Sequence, residues 1–173
     1  DNRLGFSFEY FNNKFYDLLM VRGRSIAMIG NDYPRENIGE NRYSGIETRL
    51  SWQQSIRDFQ YFVSVNASIR QSKVLYIDEV SRAYDWMKRT GQQVGMPFGY
   101  ISDGLFQSQV EVDNSPTTVG YTPQLGDIKY KDLNNDGIID QFDIAPIGNG
   151  KPVAFFGLIV GASWKGFDFS ALL

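Results

Sequence analysis

The stretch DFQYFVSVNASIR, residues 58–70, alternates between apolar and polar side chains along almost its whole length. One set consists of Phe59, Tyr61, Val63, Val65, Ala67 and Ile69, and the other of Gln60, Phe62, Ser64, Asn66, Ser68 and Arg70. Because successive side chains of a β-strand point to opposite faces, this stretch predicts a strand with one continuous apolar face.

The same period of two continues in the neighbouring segments. YSGIETRLSWQ, residues 43–53, places Ile46, Leu50 and Trp52 on one face, and the short link QSIRD joins it to the first stretch as a hairpin. Residues 153–164 alternate in the same way, with Phe155 and Ile159 as apolar exceptions on the second face, and a turn at Lys165 and Gly166 leads into a last strand. Near the amino terminus the pattern predicts two further strands joined by a turn at residues 12–14.

These segments predict an all-β fold, a segment of an antiparallel transmembrane β-barrel with about six strands in three hairpins. The predicted strands are 3–12, 15–22, 43–54, 58–73, 153–164 and 167–173, with a long outer loop over 74–152 that contains short helices. Short turns at one end and long connections at the other are typical of outer-membrane barrels, and aromatic residues near the turns suit a membrane boundary. A soluble β-sandwich, whose inner face is also apolar and alternating, stays open as the alternative.

A barrel assigns the two sets of side chains to lipid and to a polar interior. The predicted lipid face consists of Ile46, Leu50, Trp52, Phe59, Tyr61, Val63, Val65, Ile69, Leu158, Val160 and Trp164. Glu47, Arg49 and Arg70 fall on the opposite face, where they form a charge network or touch a solute, and we expect the network.

Composition excludes several classes of site. The chain has 173 residues, a formal net charge of −3, no cysteine and no histidine. Thiol nucleophiles, zinc–thiolate sites and Ser-His-Asp triads are therefore impossible within it, and no basic stripe suggests nucleic acid. We expect a non-enzyme. Both ends fall inside strand-like patterns, so we also expect a piece of a longer polypeptide.

The segment GDIKYKDLNNDGIIDQFD, residues 126–143, spaces oxygen ligands like a calcium-binding loop. Counting from the first aspartate of DLNNDG, the ligand positions 1, 3, 5, 7, 9 and 12 carry Asp132, Asn134, Asp136, the carbonyl of Ile138, Asp140 and Asp143. Gly137 occupies position 6, where such loops turn sharply. We expect a structural calcium ion that fixes the long loop; a plain Asp/Asn/Gly-rich turn without metal is the alternative.

Other features of the long loop are less specific. Residues 79–91 predict one helix that ends at Gly91, and residues 102–112 predict another with Ser102 or Asp103 as the N-cap. The rings of Tyr84, Trp86 and Phe106 either stack on sugars or, as we expect, pack a small core of the loop. A β-rich hydrolase would need two carboxylates close together. The spacing of Glu111 and Asp113 does not indicate such a catalytic pair.

Five stretches carry a family resemblance. They are EYFNNKFYDLLM, NIGENRYSGIETRLSW, YDWMKRTGQQVGMPFGYISDGLFQSQ, GDIKYKDLNNDGIID and GASWKGFDFSALL. Together, and in this order, they resemble the C-terminal part of a SusC-like TonB-dependent outer-membrane transporter. The resemblance covers nearly the whole chain, and GDIKYKD followed by the KGFD hairpin is its most specific part.

The resemblance implies a location and a set of partners. Transporters of this family are 22-stranded barrels of the bacterial outer membrane, closed by an N-terminal plug that this chain lacks. They act with a SusD-like surface lipoprotein, import glycans or peptides, and draw energy from the TonB complex. The implied function is part of the barrel wall and outer vestibule of such an importer, in contact with outer-membrane lipid. The alternative is a soluble, calcium-braced β-sandwich that binds carbohydrate.

Overall fold

An antiparallel five-stranded sheet is the main element of the fold. The computed structural model describes residues 3–23, 34–149 and 152–173. In chain order the strands of the described residues are β1 (Leu4–Met20), β2 (Glu36–Ile56), β3 (Phe59–Tyr76), β4 (Phe98–Tyr100), β5 (Ser102–Leu105), β6 (Thr117–Thr118), β7 (Ile128–Tyr130), β8 (Ile138–Ile139), β9 (Ile144–Pro146), β10 (Ala154–Trp164) and β11 (Phe167–Leu172). The large sheet has the order β1-β2-β3-β10-β11. Strands β4 to β9, which follow β3 and precede β10 along the chain, form three small two-stranded sheets.

The strand register confirms the two-faced pattern. Directly opposite residues of an antiparallel pair point to the same face, and the pairs Leu50–Val65, Val65–Leu158 and Val63–Val160 connect three strands through apolar side chains. The same face continues onto β1 through Phe6, which pairs with Leu50. One apolar face therefore extends across the whole sheet. The other face is mainly polar on β1, β2 and β3, with Phe11 and Phe62 as exceptions, and carries Phe155 and Ile159 on β10.

Neither face of this sheet packs against a second layer in the part of the chain that the structure describes. Leu50 is 49% exposed and Val65 is 42% exposed, and Val63 and Leu158 are half-buried by their neighbours within the sheet. A β-sandwich buries such a face under an opposing sheet. The observed exposure therefore argues against the sandwich.

The predicted hairpin at residues 12–14 is wrong. Asn12, Asn13 and Lys14 lie inside β1 and pair with Ser44, Tyr43 and Arg42 of β2. The polar residues that suggested a turn instead continue the strand beyond its apolar section, next to an equally polar section of β2. The large sheet therefore has five strands and two short-turn hairpins. The aromatic residues Tyr10, Phe15 and Tyr16, which the predicted turn would have placed at a membrane boundary, lie inside β1.

The pairing of β1 with β2 is irregular near the C-terminal end of β1. The register with β2 shifts after Phe15, and Asp17 has a φ of 55°. A bulge of this kind increases the local twist of an edge strand. Beyond it β1 ends at Met20.

The two hairpin turns are tight. At the β10–β11 turn, Lys165 has a φ of 47° and Gly166 a φ of 86°, which are the two positive values of a type I′ turn. Arg57, in the β2–β3 turn, has a φ of 56°. Both turns lie at the same end of the sheet, and the long connection between β3 and β10 begins at the other end.

That long connection, residues 77–153, has a small core of its own. The buried apolar side chains among the described residues are Phe106 (4% exposed), Ile139 (3%) and Ala145 (3%), and all three belong to it. The pairs β4–β9, β5–β7 and β6–β8 fold it back on itself. The connection is also attached to the large sheet, because Val74 of β3 exchanges backbone hydrogen bonds with Gly91 and Gln92.

The helices of this connection differ from the prediction. Over residues 79–91 only Asp85–Met87 forms a short 3-10 turn, because the segment is closed by hydrogen bonds to distant residues rather than by helical ones. Residues 102–105 form β5. The second helix, α1 (Gln109–Asp113), starts later than predicted, and Ser108 is its N-cap through a bond from the backbone N–H of Glu111.

Among the described residues, no helix is both long enough and apolar enough to cross a membrane.

Candidate functional site

The Asp-rich segment forms a closed loop around the carboxylate of Asp132. Its Oδ1 accepts hydrogen bonds from the backbone N–H groups of Asn135 (2.7 Å) and Asp136 (3.3 Å), and its Oδ2 accepts one from Gly137 (2.7 Å). Gly137 has a φ of 82°, a conformation that glycine adopts without strain. The sharp turn predicted at position 6 is therefore present.

The next two predicted ligands lie side by side. The amide of Asn134 donates to Oδ2 of Asp136 at 2.8 Å, and Oδ1 of Asp136 accepts from the backbone N–H of Ile138 at 2.9 Å. Ile138 begins β8, which runs parallel to β6. Asp132, Asn134 and Asp136 thus lie within one turn, and Ile138 is joined to it through its N–H rather than through the predicted carbonyl.

Asp143 has a different environment from the ligands near the turn. Its side chain is completely buried (0% exposed), and it accepts hydrogen bonds from the backbone N–H groups of Leu133 (2.7 Å) and Asp140 (3.0 Å). Asp140 in turn accepts from Phe142 at 2.8 Å. Asp143 therefore fastens the two ends of the loop together, and a pair of carboxylates at positions 9 and 12 caps a short 3-10 turn, Gln141–Asp143.

The oxygen atoms of residues 132–143 are of the types that bind calcium, but their arrangement fits a calcium site only in part. Carboxylate, amide and carbonyl oxygens are the ligands that Ca²⁺ prefers, and the turn at Gly137 has the required conformation. In the described part of the chain, however, no three Asp, Glu, His or Cys side chains converge as a metal site. The loop as it stands is closed by its own hydrogen bonds.

Aromatic side chains attach this loop to the segment after β3. Tyr84 and Trp86 stack with ring centroids 4.4 Å apart, and Trp86 donates from its indole nitrogen to the carbonyl of Phe142 at 2.9 Å. Phe142 also meets the ring of Tyr84 edge-on at 6.1 Å. Phe106 is buried and cannot stack on a ligand. The rings pack the loop internally, as expected.

Glu79 closes the segment that was predicted to be helical. Its carboxylate accepts from the backbone N–H groups of Arg89 and Thr90, both at 3.0 Å. Burial raises the pKa of Glu79, but these hydrogen bonds outweigh the burial and hold the pKa below its ordinary value.

A second carboxylate, that of Asp127, closes the segment just before β7 by accepting two hydrogen bonds. It accepts from the hydroxyl of Tyr121 at 2.6 Å and from the backbone N–H of Gln124 at 2.8 Å. The hydrogen bond from Tyr121 is the main cause of the lowered pKa of Asp127, and it raises the pKa of Tyr121. Hydrogen bonds from backbone N–H groups to carboxylates thus recur throughout this connection.

The polar face of the large sheet carries the predicted charge network in part. Arg70 and Glu47 form an ion pair at 2.9 Å, and Ser68 donates to the same carboxylate at 3.2 Å. Arg49 is not part of that pair and donates instead to the buried hydroxyl of Ser64 at 3.1 Å. All of these side chains belong to the face opposite the apolar one.

Sequence reasoning missed a groove at the hairpin end of the sheet. It has a volume of about 710 Å³ and is formed by residues of β2, β3, β10 and β11, with Gln53, Gln60 and Asp168 among its polar groups. Each of these residues looked like ordinary strand sequence. Only the pairing of β3 with β10, across a connection of about eighty residues, brings them together.

The carboxylates considered for a hydrolase have structural roles. Glu111 accepts from the backbone N–H of Gln107 at 3.1 Å, and Asp113 accepts from the side-chain amide of Gln109 at 2.8 Å. Both bonds stabilise the ends of α1. The two carboxylates therefore bind different glutamine residues and form no pair with each other.

Comparison with known proteins gives relatives of one kind. No family-level profile matches the chain. TonB-dependent receptor P3 of Formosa agariphila is 27% identical over 181 residues, which cover 97% of this chain and 18% of that receptor. TonB-dependent receptor P26 of the same organism is 29% identical over 147 residues, covering 78% of this chain and 14% of that receptor.

Solved structures show the same fold. The RagAB peptide importer in its closed-closed state matches 99% of this chain and 19% of that chain, with a TM-score of 0.67 and 15% identity. In its open-open state it matches 99% of this chain and 18% of that chain, with a TM-score of 0.64. These proteins are named as receptors and an importer, which agrees with the expectation of a non-enzyme.

The chain spans less than a fifth of the length of each of these relatives. The resemblance to a SusC-like TonB-dependent transporter, expected from the sequence, is confirmed by both comparisons.

Proposed function

We propose that this chain forms part of the wall and outer vestibule of a SusC-type, TonB-dependent nutrient importer in the bacterial outer membrane. The observation that carries the proposal is the continuous apolar face of the five-stranded sheet, which no other part of the described chain covers. An apolar face of this extent is unfavourable in water. In a bilayer the hydrocarbon would cover it.

The height of the apolar face agrees with a membrane. From Phe59 to Ile69, β3 presents an apolar side chain at every second residue, which corresponds to about 34 Å of strand. A strand tilted by about 45° would then cover about 24 Å along the membrane normal, close to the apolar band of about 25 Å in outer-membrane barrels.

A soluble carbohydrate-binding β-sandwich is the less favoured function. It requires Val63, Val65 and Leu158 to lie under an opposing sheet, and they do not. Its named relatives would also be expected among binding modules or enzymes, whereas those found are TonB-dependent receptors and a peptide importer.

The orientation follows from the two ends of the sheet. Outer-membrane barrels have short turns on the periplasmic side and long loops outside. The β2–β3 and β10–β11 turns would then face the periplasm, and residues 77–153 would face outward. There we propose contact with a SusD-like lipoprotein and with a glycan or peptide on its way in, while the TonB complex acts through a part of the protein outside this chain.

A topology experiment on the full-length protein tests this function. A short epitope inserted after Thr122 in the outer connection should be stained on intact cells. The same epitope inserted after Asp58 in the β2–β3 turn should be stained only after the outer membrane is permeabilised. Staining of both sites on intact cells, or recovery of the protein outside the outer-membrane fraction, would contradict the proposal.

We also propose that the Asp-rich loop binds a structural calcium ion. The support is the ligand order, the conformation of Gly137 and the close approach of Asn134 to Asp136. The residues that would hold the ion are Asp132, Asn134, Asp136, Ile138 through its carbonyl, Asp140 and Asp143. The ion would add a crosslink to the hydrogen bonds that close the loop.

Limited proteolysis of the full-length protein tests calcium binding. When calcium is present at about ten times its Kd, cleavage within residues 77–153 should slow about tenfold. This protection should disappear in Asp132→Ala/Asp136→Ala. The matched control Asp103→Ala/Asp113→Ala removes two carboxylates of the same connection and should keep it. Equal cleavage of the unmutated protein with calcium and with a chelator would rule out the ion.

A further inference from the structure

A row of three cations crosses the large sheet just beyond the apolar face. Lys14 of β1 lies directly opposite Arg42 of β2, and Arg42 lies directly opposite Lys73 of β3. The three belong to the same face as Tyr10, Ile46 and Ile69, because each lies four residues from one of them along a regularly paired section of its strand. No single strand reveals this row, since the three residues are far apart in sequence.

The row of cations lies at one boundary of the apolar face. A polar row, Asn12, Ser44 and Gln71, separates it from the last apolar row. From Ile46 to Arg42 the strand advances about 14 Å, or about 10 Å along the membrane normal at a tilt of about 45°. Long cationic side chains at that distance can bend back to the headgroup layer next to the hydrocarbon.

The row has an excess of positive charge. Lys14 forms an ion pair with Glu40 at 2.8 Å. Arg42 and Lys73 are exposed, and in the described part of the chain neither has an ion pair or a side-chain hydrogen bond. Like charges directly opposite each other on neighbouring strands are destabilising. An anion that contacts both side chains would remove this repulsion.

Resting on the proposed function, we propose that the row of Lys14, Arg42 and Lys73 binds the phosphate groups of outer-leaflet lipid. Directly opposite residues have Cβ atoms about 5 Å apart, so Arg42 and Lys73 can contact one phosphate together. The row continues the face that we assign to lipid and lies at its outer end, on the side of the long connection. A lipid that carries its phosphate next to its acyl chains satisfies the cations and the apolar face at once.

The test measures lipid binding by the purified full-length protein. Nanodiscs containing bis-phosphorylated lipid A are compared with nanodiscs containing lipid A without phosphate, and bound lipid is counted by native mass spectrometry. Arg42→Gln/Lys73→Gln should lower the affinity for the phosphorylated lipid about 30-fold, the factor expected for two surface cations. The affinity for the phosphate-free lipid should be low and unchanged.

Two control variants separate charge at this row from charge elsewhere. Lys129→Gln/Lys131→Gln removes two cations from the outer connection and should bind the phosphorylated lipid like the unmutated protein. Arg42→Lys/Lys73→Arg keeps both charges and should also bind like it. If the double glutamine variant does not assemble, each single variant should lose about fivefold.

Several results would overturn the inference. They are unchanged affinity in the glutamine variants, equal binding of lipid A with and without phosphate, or displacement of the lipid by equimolar inorganic phosphate. A protein that sits in the outer membrane with the expected topology but gives one of these results contradicts only the lipid site. A protein that is absent from the outer membrane contradicts the proposed function itself.

Discussion

The large sheet and the connection between β3 and β10 are stabilised in different ways. In the sheet, apolar side chains such as Leu50 and Val65 are more than two-fifths exposed, and the strands are held mainly by backbone pairing. In the connection, Phe106 and Ile139 are almost completely buried, and carboxylates such as Asp143 accept backbone N–H groups. One region therefore depends on what covers its face, and the other depends on its own internal bonds.

Substitutions should therefore act differently in the two regions. In the sheet, the face to which a side chain points should decide the effect, since under the proposed function one face contacts lipid and the other contacts water. In the connection, the number of hydrogen bonds that a side chain accepts should decide it. Variants that remove one kind of support should leave the other region intact.

The largest effect is expected from a charge on the apolar face. Val63→Arg in the full-length protein should reduce assembly into the outer membrane, because a cation at the middle of the proposed lipid face would cost about 2–4 kcal/mol. Asn66→Arg on the polar face is the matched control. It places a cation opposite Arg49, which costs less than about 1 kcal/mol.

Heat-modifiable migration on gels measures the assembled fraction of both variants. Equal loss of assembly in Val63→Arg and Asn66→Arg would show that the two faces are not in different solvents. Loss confined to Asn66→Arg would reverse the face assignment.

A smaller effect, confined to the connection, is expected from Asp143→Asn. The amide replaces one acceptor oxygen with a donor, so one of the buried N–H groups of Leu133 or Asp140 loses its partner. Such a loss costs about 1–3 kcal/mol. Limited proteolysis should show faster cleavage within residues 77–153, with assembly of the full-length protein unchanged.

Asp103→Asn is the control for that substitution, since the side chain of Asp103 is about half exposed and only weakly paired with Lys131 at 3.7 Å. Should both variants be cleaved at the rate of the unmutated protein, the buried carboxylate does not hold the connection together.

The smallest effect is expected from Glu79 and depends on pH. Because the folded state lowers the pKa of Glu79, its contribution is present above the ordinary carboxyl pKa and is lost as the pH falls through the lowered value. The group is mostly solvated, so the effect should stay below about 1 kcal/mol. Proteolysis within residues 79–90 should therefore increase at acidic pH in the unmutated protein.

Glu79→Gln cannot titrate, and its cleavage in this segment should not depend on pH over the same range. A residual increase at low pH of the same size in the variant would assign the pH dependence to another group.

The sequence predicted the sheet better than the connection, for a physical reason. The period of two in residues 58–70 is a local signal, and each neighbouring strand repeats it, so the faces could be read without knowing the register. The turn at residues 12–14 was wrong because Asn12, Asn13 and Lys14 are polar for a different reason. They lie beyond the apolar section of the strand, beside Arg42 and Ser44.

The connection was harder to predict because its bonds join residues distant in sequence. Trp86 bonds to Phe142, and Glu79 bonds to the backbone ten residues later, so helical spacing over 79–91 was misleading. The Asp-rich loop was located correctly as a sharp turn at Gly137. The buried role of Asp143 had no local signal, and calcium binding stays a prediction.

We expect alternate side chains of β3 to contact lipid on one face of the sheet and water on the other. The chain has no cysteine, so single cysteines at residues 59–70 of a cysteine-free full-length protein in liposomes can each carry one spin label. Accessibility to oxygen should peak at odd positions such as Val63 and Val65, and accessibility to a water-soluble nickel complex should peak at even positions such as Asn66. Equal accessibility of odd and even positions to the nickel complex would contradict the account.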